Sequence, residues 1–575
     1  MNRSSVAGLI AALLISTPAM AQTVDPLAPA PATPPVTPVE PQPTPPPKPV
    51  VIHRDWPNIL NAIDRGEWES ASKSIAGMDR RDPLYDYALA SLYLAPSSPR
   101  IGGAEAAALV TAAPELPQAG ALARLAADRG APAVRAAGER SLVTIAGAPR
   151  RVRAQSVGGA TVSSLLSALE PSVKADDGPA AEALYRAAVD NGSLIGEGRA
   201  EIAHRVGWVY YVAGDIANAR RLALEGMDAG TAEWRAQAAW LLGLTSWRQG
   251  DCVSAATGFR IAALGTRNRE LGAAGHYWTA RANQRCGRPE RVAQGYRAAA
   301  VDPETFYGQL ARERLGEART LPLRVPAISA TDKRIADALP NVRRARALVA
   351  MGRRSEAEAL LRHQARIGDA AQHHLLVAEA AEMALGVQYF LATNMPRGTV
   401  LNARDRYPAP AWTPDNGWRI DPYLAFAHII QESDFREAVV SPADAVGLMQ
   451  VRPGTARDTA RSRGQTVTIE QLKRPQTNID HGQAFIEQMR ANRATGDQLM
   501  RVIASYNAGP VPVARWASIP GDDPLLWMES LPYWETRFYI PAVLRNYFVY
   551  HAEAGTTPPA LTELVQGRAP RFPAR

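Results

Sequence analysis

From about Trp56 to Leu401, apolar residues return at three- and four-residue spacings with almost no strict alternation, and Ala, Leu, Arg and Glu dominate. That period predicts helices and no extended sheet. The helical pattern is punctuated by one recurring turn, glycine followed five residues later by alanine: Gly66 to Ala71, Gly214 to Ala219, Gly250 to Ala255 and Gly352 to Ala357. A turn one residue longer runs from Gly287 to Ala293. The glycine closes one helix, and the small alanine lets the next helix pack closely.

The separations Gly214 to Gly250 and Gly250 to Gly287 are 36 and 37 residues, near the ~34-residue period of tetratricopeptide-like hairpins. A single hairpin cannot bury its apolar face, so neighbours must stack. The expected fold class is therefore all-α, with an α-superhelical solenoid over residues 53–325 whose concave face suits a polymer or protein partners. Trp208, Tyr210, Tyr211, Trp240, Trp247, Tyr277 and Trp278 recur before the turns. Aromatics at helical spacing read as interhelical packing ahead of carbohydrate stacking. Pro322 and Pro326 break the pattern within 321–330, helices resume from Asn341 to Phe390, and Asn394–Gly398 interrupts again. These breaks predict a small helical linker domain at 326–400 and a last domain at 401–575.

That last region opens with Asp421 and Pro422, the pattern of an N-cap followed by proline in the first helical turn. The apolar run Ala425–Ile430 follows, then Gln431, Glu432 and Ser433. A carboxylate carried on a core helix and screened by Phe426, Ile429 and Ile430 has its charged form disfavoured. A general acid needs that state near neutral pH. The competing reading is a helix cap, or an ion pair with Arg436.

Length and composition change the picture at the N-terminus. A chain of 575 residues is too long for one core. Residues 1–21 have the charged, apolar and small-residue zones of a secretory signal peptide, ending in Ala19-Met20-Ala21. No cysteine follows that point closely enough for a lipid anchor, and no later apolar run is long enough to span a membrane. A soluble periplasmic protein is expected. Residues 22–52 are proline-rich and read as an extended linker. Cys252 and Cys286 are the only cysteines; an oxidising compartment permits a bridge between them, and geometry decides it. The formal charge is +8, spread through the helices with no Lys/Arg block, so nucleic acid is not an expected partner.

Four signals in the last domain stand in order: Glu432-Ser433; Gly447-Leu448-Met449-Gln450; Ser505-Tyr506-Asn507-Ala508-Gly509; and Trp534-Glu535-Thr536-Arg537. Gln450, Tyr506 and Glu535 lie 18, 74 and 103 residues after Glu432. Each is weak alone. The ordered set, with Ser441-Pro442, Pro453-Gly454-Thr455-Ala456 and Asn478-Ile479, resembles the soluble lytic transglycosylases of peptidoglycan over residues 405–555. The resemblance implies a catalytic domain similar to goose-type lysozyme, preceded by a helical superhelix and a linker domain. It implies Glu432 as the sole catalytic acid/base, with Ser433, Met449, Gln450, Tyr506, Asn507 and Glu535 binding the sugar. Arg452 departs from the family, which has an apolar residue there.

The implied reaction cleaves the bond between N-acetylmuramic acid and N-acetylglucosamine in glycan strands without water, leaving 1,6-anhydromuramyl ends. Ordinary glycosidases use two carboxylates; Asp434, Glu437 and Asp444 are nearby, and each reads as a surface residue. The alternatives are a hydrolytic muramidase on the same fold and a non-catalytic scaffold that binds peptidoglycan or cell-wall proteins through the solenoid. No cofactor or metal is expected, since His428 and His481 stand alone on helical patterns and read as structural.

Overall fold

A computed structural model describes residues 50–145, 147–157, 159–519 and 522–573. The expected signal peptide, and all of the proline-rich linker before Val50, lie outside the described residues. The described residues hold 28 α-helices. Their one sheet is a two-residue antiparallel pair, Val143–Thr144 with Asn394–Met395. The expected all-α class holds.

The described residues divide into two compact units, one ending at Ile101 and one beginning at Gly102. In the first, helices Trp56–Asp64, Trp68–Ala76 and Tyr85–Leu94 bury Ile59, Leu60, Ile75 and Leu92. Asp55 caps the first helix by accepting the Asn58 N–H at 3.0 Å.

In the second unit, helices Gly196–Ala213, Ile216–Ala229, Glu233–Arg248, Cys252–Gly265, Arg269–Arg285 and Pro289–Ala300 pack in chain order. The turn reading is seen in atomic detail. Gly214 and Gly250 sit at φ +89° and +79°, a region that glycine enters without steric cost. Asp215 and Asp251 then cap the next helices through Asn218 N and Ser254 N, both at 3.0 Å. Ala219 and Ala255 are fully buried. Tyr211, Trp240, Tyr277 and Trp278 are buried as packing residues. Cys252 and Cys286 are joined in a disulfide that ties the start of one helix to the end of the next.

Helix Pro422–Ser433 lies at the centre of the last region, with Leu424, Ala425, Ile429 and Ile430 wholly buried. It packs on helix Trp534–Glu553 and touches helix Pro475–Ala491. Residues 147–157 run from the solenoid to its far end. Arg150 pairs with Asp434 at 2.7 Å and donates to the Ile430 carbonyl at 3.2 Å. Arg151 pairs with buried Glu529 at 2.5 Å, while Asn268 and Trp234 of the solenoid donate to the carbonyls of Arg150 and Gln155. Residues 147–157 thus touch both the helices 233–285 and the C-terminal end of the helix that carries Glu432.

Candidate active site

The site grows from the C-terminal end of helix Pro422–Ser433. Asp421 accepts the Tyr423 N–H at 2.9 Å and is itself held by Tyr547 and His551 at 2.9 and 3.0 Å. The helix stops at Asp434 and Phe435, both with positive φ, +51° and +61°. Two such residues in sequence are strained. Burial of the Phe435 ring against Trp412, Tyr389 and Phe426 holds the turn in place.

Glu432 is half-buried at the end of its helix. Its Oε1 accepts the Tyr539 hydroxyl at 2.5 Å. Burial raises its pKa to about 7; the negative charge of Glu535 adds to the rise, and the Tyr539 hydrogen bond opposes it. The carboxyl is therefore divided between its acid and base forms near neutrality, as a group that must give a proton and take one back requires. Arg436 donates to the Ser433 carbonyl at 2.9 Å and leaves Glu432 without a cationic partner there.

A tight loop is joined to this carboxyl through Tyr506, which bonds the loop and lies within electrostatic reach of Glu432. Val446 bridges to both Val440 and Val451, and Gly447 at φ +73° turns where any Cβ would collide with the Asn478 amide. Gln450 follows at φ +47° and bonds its own loop, Nε2 to the Gly447 carbonyl at 2.9 Å. Met449 is buried, and its carbonyl accepts the Tyr506 hydroxyl at 2.6 Å. Burial raises the Tyr506 pKa far above its ordinary value, and nearby Glu432 adds to it. Tyr506 therefore stays a phenol whose proton is committed to Met449, leaving its oxygen lone pairs to accept.

The remaining expected residues are less uniform. Ser433 is buried with its hydroxyl on the Ile429 carbonyl of its own helix. Asn507 is half-buried and accepts the Thr536 hydroxyl at 2.6 Å. Glu535 is exposed in the first turn of helix Trp534–Glu553, within electrostatic reach of Glu432. Arg452 is exposed. Glu437, expected at the surface, is instead buried in a two-pronged pair with Arg354 at 2.7 and 2.9 Å. Asp434, also expected at the surface, is part-buried against Arg150; Asp444 is exposed.

Two residues of the site escape a motif reading. Tyr539 lies four residues after Glu535, and His428 four before Glu432; that spacing puts each on the same helical face as its partner. His428 is buried, with Nδ1 2.8 Å from the Tyr539 hydroxyl and its ring 4.7 Å from that of Tyr506. Burial lowers its pKa to about 3, so the imidazole is neutral.

Residues 413–524 match the family model of the transglycosylase SLT domain. This segment is an SLT domain. Glu432, Gln450 and Tyr506 fall inside the match; Glu535 and Tyr539 come from the helix beyond it. Around the SLT domain, the chain is 34% identical to the soluble lytic murein transglycosylase of Escherichia coli (strain K12) over 157 residues, 27% of this chain and 24% of that protein. It is 39% identical to the endo-type membrane-bound lytic murein transglycosylase A of Klebsiella pneumoniae (strain 342) over 100 residues, 16% of this chain and 49% of that protein. The matches thus span about a quarter to a half of these relatives. The crystal structure of the 70 kDa soluble lytic transglycosylase from Escherichia coli is similar with a TM-score of 0.54 and 18% identity, over 89% of this chain and 98% of that one. Its complex with bulgecin A gives 0.52 over 87% and 96%. The SLT domain and the helical hairpins before it share that all-α fold.

Proposed function

We propose that this protein is a periplasmic lytic transglycosylase that cleaves the bond between N-acetylmuramic acid and N-acetylglucosamine in peptidoglycan. The observation that carries the reading is a single glutamate, on an SLT domain, whose pKa is raised to about 7 by burial. The names of its relatives support the substrate class, and the signal-peptide pattern supports export. No helix among the described residues is long and apolar enough to cross a membrane.

In this reading, Glu432 protonates the bridging oxygen. The 2-acetamido carbonyl of the muramic residue supports the positive anomeric carbon, in place of a second carboxylate. Tyr506, whose own proton is held by Met449, accepts the acetamido N–H and directs that carbonyl inward. Glu432, now ionised, takes the proton of the muramyl 6-hydroxyl, which closes the 1,6-anhydro ring and restores the acid. Asp434 and Glu437 are held in ion pairs with Arg150 and Arg354, which leaves neither free to serve as nucleophile.

One observation favours a second reading, a hydrolytic muramidase: exposed Glu535 is close enough to raise the Glu432 pKa and is available to activate water. Mass spectrometry of products from purified sacculi separates the two. Anhydromuramyl ends, retained in Glu535→Gln and lost in a folded Glu432→Gln variant, are expected. Reducing muramic ends that depend on Glu535 overturn the proposal.

A further inference from the structure

His428, Tyr539 and Glu432 form one hydrogen-bonded chain, with Nδ1 to phenol oxygen at 2.8 Å and phenol oxygen to Oε1 at 2.5 Å. Tyr539 has a single proton to place between two neighbours. When Glu432 is ionised it has no proton to give, so Tyr539 must donate to Oε1, and the Tyr539 oxygen must accept from His428. That assigns the proton of the neutral imidazole to Nδ1. The ring is only 1% exposed, so it has little water with which to exchange tautomers when Glu432 gains its proton. With Nδ1–H retained, Tyr539 remains a donor to Oε1 in both states.

We propose that His428 is a positioning residue that decides which oxygen of Glu432 carries the transferable proton: Oε1 is kept as an acceptor, and the acid proton is confined to Oε2. A carboxyl free to carry its proton on either oxygen would have it misdirected toward Tyr539 for part of the time. Among the described residues, the titratable groups around Glu432 and Tyr539 come from three helices. Tyr539 and Glu535 come from helix Trp534–Glu553, Tyr506 from helix Leu499–Ala508 and His428 from its own helix. His428 stays neutral through the working range because burial depresses its pKa, so it acts by direction of donation and not by charge.

The inference rests on the proposed role of Glu432, so its first test needs no turnover. In protein labelled with ¹⁵N-histidine, the His428 signal is expected to show Nδ1–H with bare Nε2 on both sides of the Glu432 titration. An Nε2–H tautomer, or a change of tautomer across that titration, overturns it. The second test uses variants. His428→Leu removes the donor and is expected to raise the Glu432 titration, followed by carboxyl ¹³C shifts, by about half a pH unit, the weight of one hydrogen bond to a neutral phenol that is felt by the charge through Tyr539. His428→Gln, which still offers an N–H, is expected to restore most of it. Because His428 acts through Tyr539, adding His428→Leu to Tyr539→Phe is expected to add nothing further. An additive shift, or a His428→Leu titration equal to wild type, refutes the proposal. If these hold while sacculi remain undigested, the proposed activity fails and the positioning role stands.

Discussion

Asn478 holds Met449 in place: its side-chain carbonyl accepts the Met449 N–H at 2.8 Å, while its amide nitrogen donates to the Val446 and Leu472 carbonyls, each at 2.8 Å. One fully buried side chain thus satisfies two backbone groups of the loop that carries Gln450 and anchors Tyr506, and a third at the end of helix Ile469–Leu472. Replacing it strands those groups, each at about 1–3 kcal/mol. Asn478→Leu is therefore expected to lower unfolding free energy in urea by at least that amount. Turnover should fall tenfold or more, since Tyr506 loses its fixed acceptor. A variant stable and active as wild type contradicts the account.

Gly482 faces the same loop from helix Pro475–Ala491, and a Cβ there would collide with the Met449 side chain. Overpacking at such a contact costs about 1–3 kcal/mol. Gly482→Ala should lower the thermal midpoint and displace Met449 and Gln450, visible as a rise in KM or a fall in kcat with an intact helical circular dichroism spectrum.

The raised pKa of Glu432 is also a statement about stability. The folded state binds the proton more tightly than the unfolded state, whose glutamate titrates near 4.5, so the group's contribution declines as pH rises from about 4.5 to 7 and stays reduced above. Glu432→Gln should therefore match wild type below pH 4.5 and be the more stable protein at pH 8, by up to roughly 3 kcal/mol. Denaturant midpoints measured for both proteins across that range test this. Glu270, also raised to about 7 by burial, titrates equally in both and cancels.

The disulfide Cys252–Cys286 closes a loop with a sequence separation of 34. Chain-entropy arguments assign such a loop about 3–4 kcal/mol. Because repeat stability is nearly local, the Cys252→Ser/Cys286→Ser protein should lose protection against amide exchange in helices Cys252–Gly265 and Arg269–Arg285 first. Turnover should remain close to wild type at 25 °C.

Arg545 is wholly buried, 3.3 Å from Glu270 of the solenoid and 2.7 Å from Asn546 Oδ1, and Asn546 in turn donates to the Ala427 carbonyl of the Glu432 helix at 3.1 Å. Removing one member of a buried pair leaves the other charge uncompensated, at about 3–5 kcal/mol. Arg545→Leu should be destabilised by that amount, and adding Glu270→Gln should return a substantial part of it.

Much of this protein was fixed by local chemistry that sequence spells out. Glycine at Gly214 and Gly250 reports a left-handed helix end, and Asp215 and Asp251 report the next cap, because backbone conformation and capping depend on neighbours a few residues apart. Asp421, Pro422 and the apolar run to Ile430 specified the helix that carries Glu432 for the same reason. The surface expectation for Glu437 failed because its partner, Arg354, lies 83 residues away. Periodicity carries no information about so distant a pairing. Only tertiary structure decided that His428 and Tyr539 meet, 111 residues apart, and that Glu432 takes the Tyr539 hydroxyl while feeling the charge of Glu535. A carboxyl's proton affinity is the sum of burial, nearby charge and hydrogen bonds in three dimensions, and the chain brings those together only when it folds.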